Sequence, residues 1–452
     1  MSREKIADVF KAIGQPSITY VKRDSGKLET DLSNALDESG QLCLITGPSK
    51  TGKTTLYTEV LQRRSEMPLI VRCDRTTTIT QIWRMALEKV DFTRAVSRVA
   101  EKSNSLEGEA EASTTFGWSW LAGITTRIRG QSTSQTTETE LRENIIAESS
   151  PDHLIPILKN TNYVLVIEDF HYLDDDVKIT LFQQWKRFTD DEVSVIVLGT
   201  THRAIDIATS NKDLLGRISQ IDVGHWSVND LSLIVSQGVS HLKCSISSDL
   251  IKLIASESVG LPIVVQQACL TLFQNERINF VDIARARKLQ FRIGHVEQSL
   301  HVVSQTKYTQ FETHYTTLIR GPREKARKFR TYELVLACFT LNPIQFFLSR
   351  KEIDERMSQL ELEASEVPPP ASLNSTFGAL RKFQEKRNFQ LLEWRPTEEV
   401  LYIIEPSFLF YVRWRAKNTE HSPKQLDLFE KLLISLADKA ASVNLATSRL
   451  EL

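Results

Sequence analysis

The chain has no C-x-x-C pair. Its five cysteines, Cys43, Cys73, Cys244, Cys269 and Cys338, are scattered, and several stand in apolar runs. That argues against a cysteine-built zinc site and fits small buried hydrophobes in a reducing compartment. It has neither a signal peptide nor an apolar run of membrane-spanning length, so a cytoplasmic protein with no membrane partner is expected. It carries no charge excess. Lys and Arg number 56 against 57 Asp and Glu, a net charge of -1, which argues against a globally basic nucleic-acid coat but leaves room for a local patch. Internal repeats and heptad runs are absent, and no nuclease, protease or deaminase constellation stands out. At 452 residues, 41% hydrophobic and 25% charged, the composition is that of a globular chain of two or three domains.

What is present centres on Gln41 to Leu56. Leu42, Cys43, Leu44 and Ile45 form the short apolar run of a strand buried on both faces. Gly47-Pro48-Ser49-Lys50-Thr51-Gly52-Lys53-Thr54 follows, matching G-x-x-x-x-G-K-[ST] at every position, and Thr55 continues into a helix. The two glycines let the backbone curl so that successive N–H groups point at phosphate oxygens. Lys53 can reach the β- and γ-phosphates and the Thr54 hydroxyl can ligate Mg²⁺. The helix adds its positive N-terminal end. These residues are the candidate ATP/ADP and magnesium site.

Further strands are expected at Pro68–Cys73, Tyr163–Ile167, Val193–Leu198 and Arg217–Val223, alternating with helices, so the fold class is α/β with a parallel sheet in three layers. Tyr163–Ile167 runs into Glu168-Asp169. Two adjacent acids at a strand end suit phosphoryl transfer to water: Glu168 for the metal, Asp169 to orient the water. The next strand closes at Gly199-Thr200-Thr201-His202-Arg203, where ligands of open α/β sheets bind. Thr201 could hold the attacking water and Arg203 could contact the γ-phosphate. Arg217 is either an arginine finger reaching a neighbouring subunit or a salt-bridging residue. Tyr20-Val21-Lys22-Arg23 either packs beside the adenine or is an ordinary entry strand.

Residues 1 to 19 form a helical lead with Ile6, Val9, Phe10 and Ile13 on one face. The Ser/Thr-rich insert at about 101–140 contains Phe116, Trp118 and Trp120 in alternation, the pattern of a β-hairpin with an aromatic face for a partner, or of a loop tucked onto the flank. After Ser227, a helix N-cap, the strands stop and helices follow. Three helices and a strand pair across Arg395-Pro-Thr at 331–416 have the winged-helix layout. Arg381, Lys382, Lys386, Arg387 and Arg395 there are set among acidic residues and could meet DNA phosphates. Tyr411–Arg415 reads as a packed helix with its arginines facing out.

Together these elements resemble the AAA+ and STAND branch of P-loop ATPases over roughly residues 20–273. The resemblance implies a P-loop three-layer αβα ATPase core, 1–226, then an all-helical lid, 227–300, a helical and basic connector, 301–330, a winged-helix domain, 331–416, and a helical tail, 417–452. It also implies that Pro262, in Gly260-Leu261-Pro262, packs near the adenine. The extra His202 and the lack of a lid arginine of the sensor type are departures. STAND proteins are ATP-driven switches that form oligomers, which implies a homo-oligomer, a separate effector protein, or both. Bacterial proteins of this layout are often associated with defence against phage. The alternative is a DNA-associated ATPase of loader or transposition type, with DNA held by the winged helix.

Overall fold

The computed structural model describes residues 3–107, 120–124, 138–199, 216–321, 329–360, 362 and 365–415. They fall into two units, one of residues 22–225 and one that joins residues 1–21 to residues from 226 onward.

Helix α1 (Ile6–Val9) opens the chain and belongs to the second unit. The first unit contains five strands, β1 (Leu42–Thr46), β2 (Met67–Arg72), β3 (Tyr163–Glu168), β4 (Val195–Gly199) and β5 (Ile218–Asp222). They pair in parallel in the order β2-β3-β4-β1-β5. All residues of β1, β3 and β4 are buried, as expected for inner strands covered on both sides. Their alternate side chains divide between two cores. Leu42, Leu44, Leu165, Ile167, Val195 and Val197 meet Trp83, Phe182 and Trp185 of helices α4 (Ile79–Glu88) and α8 (Asp175–Asp190). α5 (Phe92–Glu107), α6 (Glu138–Ala147) and α7 (Pro151–Asn160) lie on that same side. Cys43, Ile45, Val164, Val166, Ile196 and Leu198 meet α2 (Lys27–Asp37) and α3 (Lys53–Arg63). This is the expected three-layer α/β arrangement. Each fully buried large side chain contributes roughly 1.5–3 kcal/mol.

Helix α6 ends at Ala147, and Pro151 starts α7 at a first-turn position where its missing N–H costs nothing. Trp120 lies in a helical turn at 120–124 and packs on the α4/α8 side, so it is not part of a hairpin strand. Phe116 and Trp118 lie outside the described residues.

In the second unit, Ser227 caps α9 (Val228–His241), its hydroxyl accepting from the Asp230 N–H. Helices α10 (Ser248–Glu257), α11 (Pro262–Asn275), α12 (Val281–Ala286), α13 (Ile293–Lys307) and α14 (Phe311–Arg320) follow. The N-terminal lead packs here, although the sequence reading joined it to the ATPase core. Ile6, Val9 and Phe10 are buried among these helices, and the Ile6 N–H donates to the Asn279 carbonyl. Gly238 of α9 provides the space for the Phe10 ring. Ile13 is not on that face: the helix ends at Val9 and Ile13 is 87% exposed.

Residues 331–414 form α15 (Thr331–Thr340), α16 (Arg350–Ser358), α17 (Pro370–Glu385) and α18 (Ser407–Trp414) with an antiparallel sheet in the order β6-β8-β7. The strands are β6 (Phe347–Ser349), β7 (Leu392–Arg395) and β8 (Val400–Ile403). The three-residue β6 carries no periodicity that sequence could reveal. The arginines of 411–415 do not face out. Arg413 makes two bonds from Nη2 to the Glu257 carboxylate, at 2.8 and 2.9 Å, and Arg415 is buried with its guanidinium over the Tyr315 ring. Among the described residues no helix is long and apolar enough to cross a membrane.

Candidate functional site

The loop after β1 is shaped by its glycines. Gly47 has φ +147°, and a Cβ there would meet Gly224 N and Val223 Cγ2 at 3.0 Å and Thr51 Oγ1 at 3.1 Å. Gly52 caps α3 in the left-handed region, at φ +99°. Pro48 is buried, Ser49 half-buried and Lys50 exposed. Thr51 is fully buried and its hydroxyl donates to the Pro48 carbonyl at 2.9 Å, so that side chain braces the loop. The Lys53 ammonium donates to the Gly47 and Pro48 carbonyls, both at 2.7 Å. From beneath, Arg23 is buried and donates to the carbonyls of Val223 and His225, just past β5.

Opposite the loop, β3 ends in Glu168, which is buried. Its carboxylate receives three donors. The Thr54 hydroxyl reaches Oε1 at 2.9 Å, the Tyr57 hydroxyl reaches the same oxygen at 3.1 Å, and Arg72 Nε reaches Oε2 at 2.9 Å. Arg72 ends β2 in register with Glu168. The pairing is asymmetric: the Arg72 side chain is 72% exposed and that of Glu168 is 8% exposed. Burial, with the Glu168 charge next to it, pushes the Tyr57 phenol far up, which keeps it a neutral donor.

Asp169 leaves the strand with a left-handed backbone, φ +59°, a conformation that Asp tolerates better than most residues. Its pKa is raised, first by loss of water around the carboxyl and then by Glu168, against the opposing charges of Lys53 and Arg72. His171 follows, its pKa lowered to about 4 by burial and by the charges of Lys53 and Lys178. Lys178 is itself buried and pairs with Asp175 at 2.9 Å.

Sequence reasoning thus named a set that the structure brings together in Gly47 to Thr54, Glu168 and Asp169, with Thr55 one position further along α3. It missed Tyr57 and Arg72. Tyr57 looks like one more apolar position of α3, and a strand-end arginine looks like a solvated terminus. The signal available was the position of Tyr57 three residues after Thr54, which shares a helix face. Gly199 lies opposite Thr46 at the end of β4, whereas Thr201 and Arg203 lie outside the described residues. Arg217 precedes β5 at the end remote from the loop, where its carbonyl accepts from Leu42 N–H. Five residues of strand separate it from the loop end, about 16 Å, and its guanidinium pairs with Asp190 at 3.2 Å. It is therefore outside the phosphate site of its own chain. Tyr20, Val21 and Pro262 belong to the second unit, Val21 in its core and Pro262 at the start of α11.

The donor set suits magnesium. Mg²⁺ prefers hard oxygen ligands and keeps most of its shell as water and phosphate, so one or two protein groups suffice. Thr54 and Glu168 supply them. A hydroxyl has one proton and two lone pairs, so Thr54 can donate to Glu168 and still present a lone pair to a cation. Among the described residues no cluster of three or more His, Cys, Asp or Glu side chains could hold a different metal.

Residues 36–206 match the family model of the AAA domain. No curated protein matches the chain. Three solved structures are similar at low identity. A Walker-type ATPase of Pyrococcus abyssi is 12% identical, with 90% of this chain and 99% of that chain covered, at TM-score 0.47. Cdc6p of Pyrobaculum aerophilum is 12% identical over 95% and 98%, at 0.37. The RuvB Holliday junction branch migration motor of Thermotoga maritima is 13% identical over 87% and 97%, at 0.36.

Proposed function

We infer that the chain is an ATPase switch: it binds ATP with magnesium, hydrolyses it slowly, assembles into oligomers and regulates a separate effector protein. The observation that carries the nucleotide part is the 2.9 Å contact between Thr54 and Glu168 across a phosphate loop. The loop N–H groups and Lys53 bind the β- and γ-phosphates, for which Lys53 leaves its loop carbonyls. Magnesium, when bound, neutralises charge developing on the phosphate oxygens. Thr54 and Glu168 hold its place, and Asp169 orients the attacking water. The raised pKa of Asp169 suits a group that accepts hydrogen bonds from water at the mouth of the site. Arg217, remote from its own loop, acts on a neighbouring subunit's nucleotide, and Thr201 and Arg203 keep their candidate roles at the γ-phosphate. The switch reading rests on the division into two units, each with its own buried apolar residues.

The test is ATP affinity and turnover in two variants. Lys53→Ala should lower affinity by two orders of magnitude or more, and Asp169→Ala should keep affinity while slowing turnover about a hundredfold. Unchanged affinity in Lys53→Ala would remove the phosphate-loop assignment.

One observation favours the DNA-associated alternative. The exposed side chains of Lys382, Lys386 and Arg387 lie at and just after the end of α17, in what would be the recognition helix of a winged-helix domain. Against it, Arg381 pairs with Glu385, and Arg395 is only 14% exposed, held by Glu393 and Glu398. DNA affinity that falls by several orders of magnitude between low and moderate salt supports this reading, and no binding at low salt excludes it.

A further inference from the structure

We propose that Tyr57 is a positioning residue for the magnesium-side acid: its phenol holds the Glu168 carboxylate in the orientation that meets the cation. The proposal rests on the magnesium–ATP reading above.

The geometry begins on α3. Residues three apart on a helix lie on one face, so Thr54 and Tyr57 present two hydroxyls to the same neighbour. That neighbour is a single oxygen, Glu168 Oε1, at 2.9 and 3.1 Å. The two hydroxyls differ in what else they can do. Thr54 is exposed at the mouth of the loop, where it has a second task at the cation. Tyr57 is fully buried among Leu56, Val60 and Leu61 and has no access to a ligand, so its donation to Glu168 does not compete with nucleotide. A buried tyrosine also needs a partner for its hydroxyl, which a phenylalanine filling the same space would not.

The other carboxylate oxygen faces a different pull. Arg72 holds Oε2 at 2.9 Å from the exposed edge of the sheet. The carboxylate is therefore suspended between a buried neutral donor and an exposed cation. A carboxylate offers about four lone-pair positions. Two on Oε1 are taken by the hydroxyls and one on Oε2 by Arg72, which leaves one on Oε2 to meet the cation's hydration shell. Removing the Tyr57 hydroxyl frees one position on Oε1 and lets the group rotate toward Arg72, away from Thr54. The loop N–H groups and Lys53 are untouched by that rotation. The effect must therefore appear in the magnesium dependence of nucleotide binding, not in the affinity for nucleotide itself.

The experiment compares wild type, Tyr57→Phe and a protein carrying ring-fluorinated tyrosine at position 57. ATP binding is followed by displacement of a fluorescent ATP analogue, in EDTA and across a magnesium titration. Phenylalanine should raise the half-saturating magnesium concentration about tenfold, the worth of one hydrogen bond to a charged group, and leave affinity in EDTA unchanged. The fluorinated phenol is a stronger donor of nearly the same size and should shift the titration to lower magnesium. A Tyr57→Phe titration that overlays wild type overturns the proposal, and so does an equal loss in EDTA, which would mean that the phenol shapes the loop. Should Tyr57→Phe fail to fold, the fluorinated protein decides alone, and no shift there overturns it. Wild-type binding that ignores magnesium overturns both this proposal and the reading beneath it.

Discussion

Replacing Gly47 by alanine adds one methyl group at the tightest point of the phosphate loop. The new Cβ would stand 3.0 Å from Gly224 N and Val223 Cγ2, and 3.1 Å from Thr51 Oγ1. Comfortable separations are about 3.5–4.0 Å for carbon pairs, so several tenths of an ångström must be found. Two of the three neighbours are held. Gly224 N donates to the Asp222 carboxylate at 2.8 Å, and the Thr51 hydroxyl donates to Pro48. The backbone adds its own cost, because φ +147° suits glycine and strains alanine. Strain of about 1–2 kcal/mol and overpacking of about 1–2 kcal/mol give roughly 2–4 kcal/mol in total. The loop can relieve part of this by shifting away from β5, which misaims the N–H groups. If half the cost is paid in binding, ATP affinity falls about 5- to 30-fold. Hydrogen exchange at the amides of β1 and β5 reads the remainder as lost local protection, free of any contribution from the second unit. Protection and affinity both within about threefold of wild type would refute the crowding argument.

Three further outcomes follow from other contacts. The folded protein resists protonating His171, whose pKa is lowered to about 4 from 6.5. The stability this implies is complete above pH 6.5 and is lost as pH falls from 6.5 toward 4, at most about 3 kcal/mol, and His171→Asn should flatten that slope in denaturation measured across this range; a wild-type profile as flat as the variant's would show that the imidazole is not withheld from protons. Gly238→Ala drives a methyl group into the buried Phe10 ring, so the second unit should lose about 2 kcal/mol net of improved helix propensity, with Phe10→Leu in the same chain recovering most of it; equal melting of Gly238→Ala and wild type would count against the packing. Arg413 and Glu257 are 12% and 19% exposed, enough burial for Arg413→Ala to cost about 2–4 kcal/mol; a double-mutant cycle with Glu257→Ala should give a coupling of at least about 1 kcal/mol, and additive losses would mean that the pair is incidental.

The readable features were those whose determinants lie close together along the chain. The loop spacing from Gly47 to Thr54, the buried runs of β1 and β3, the acids after β3 and the Ser227 cap all depend on neighbours within a turn or a strand, so periodicity and residue chemistry expose them. The misreadings share the opposite property. Ile6 to Phe10 bear a legible apolar face, yet nothing local says which core receives it. Arg413 and Arg415 look like surface arginines because Glu257 and the Tyr315 ring are distant in sequence.

By itself the sequence determined that a phosphate loop sits between a buried strand and a helix, that an acidic pair ends another buried strand, and that strands give way to helices after Ser227. Only the tertiary structure decided how these meet. Parallel pairing in the order β2-β3-β4-β1-β5 places β4 between the loop strand and the acid strand. It brings Glu168 to Thr54, Tyr57 and Arg72, which are 114, 111 and 96 residues away. Hydrogen bonds across such separations depend on sheet register and helix placement, which are cooperative properties of the folded chain. That is why one carboxylate oxygen holding two hydroxyls, the feature that most constrains this site, is absent from any local reading of the chain.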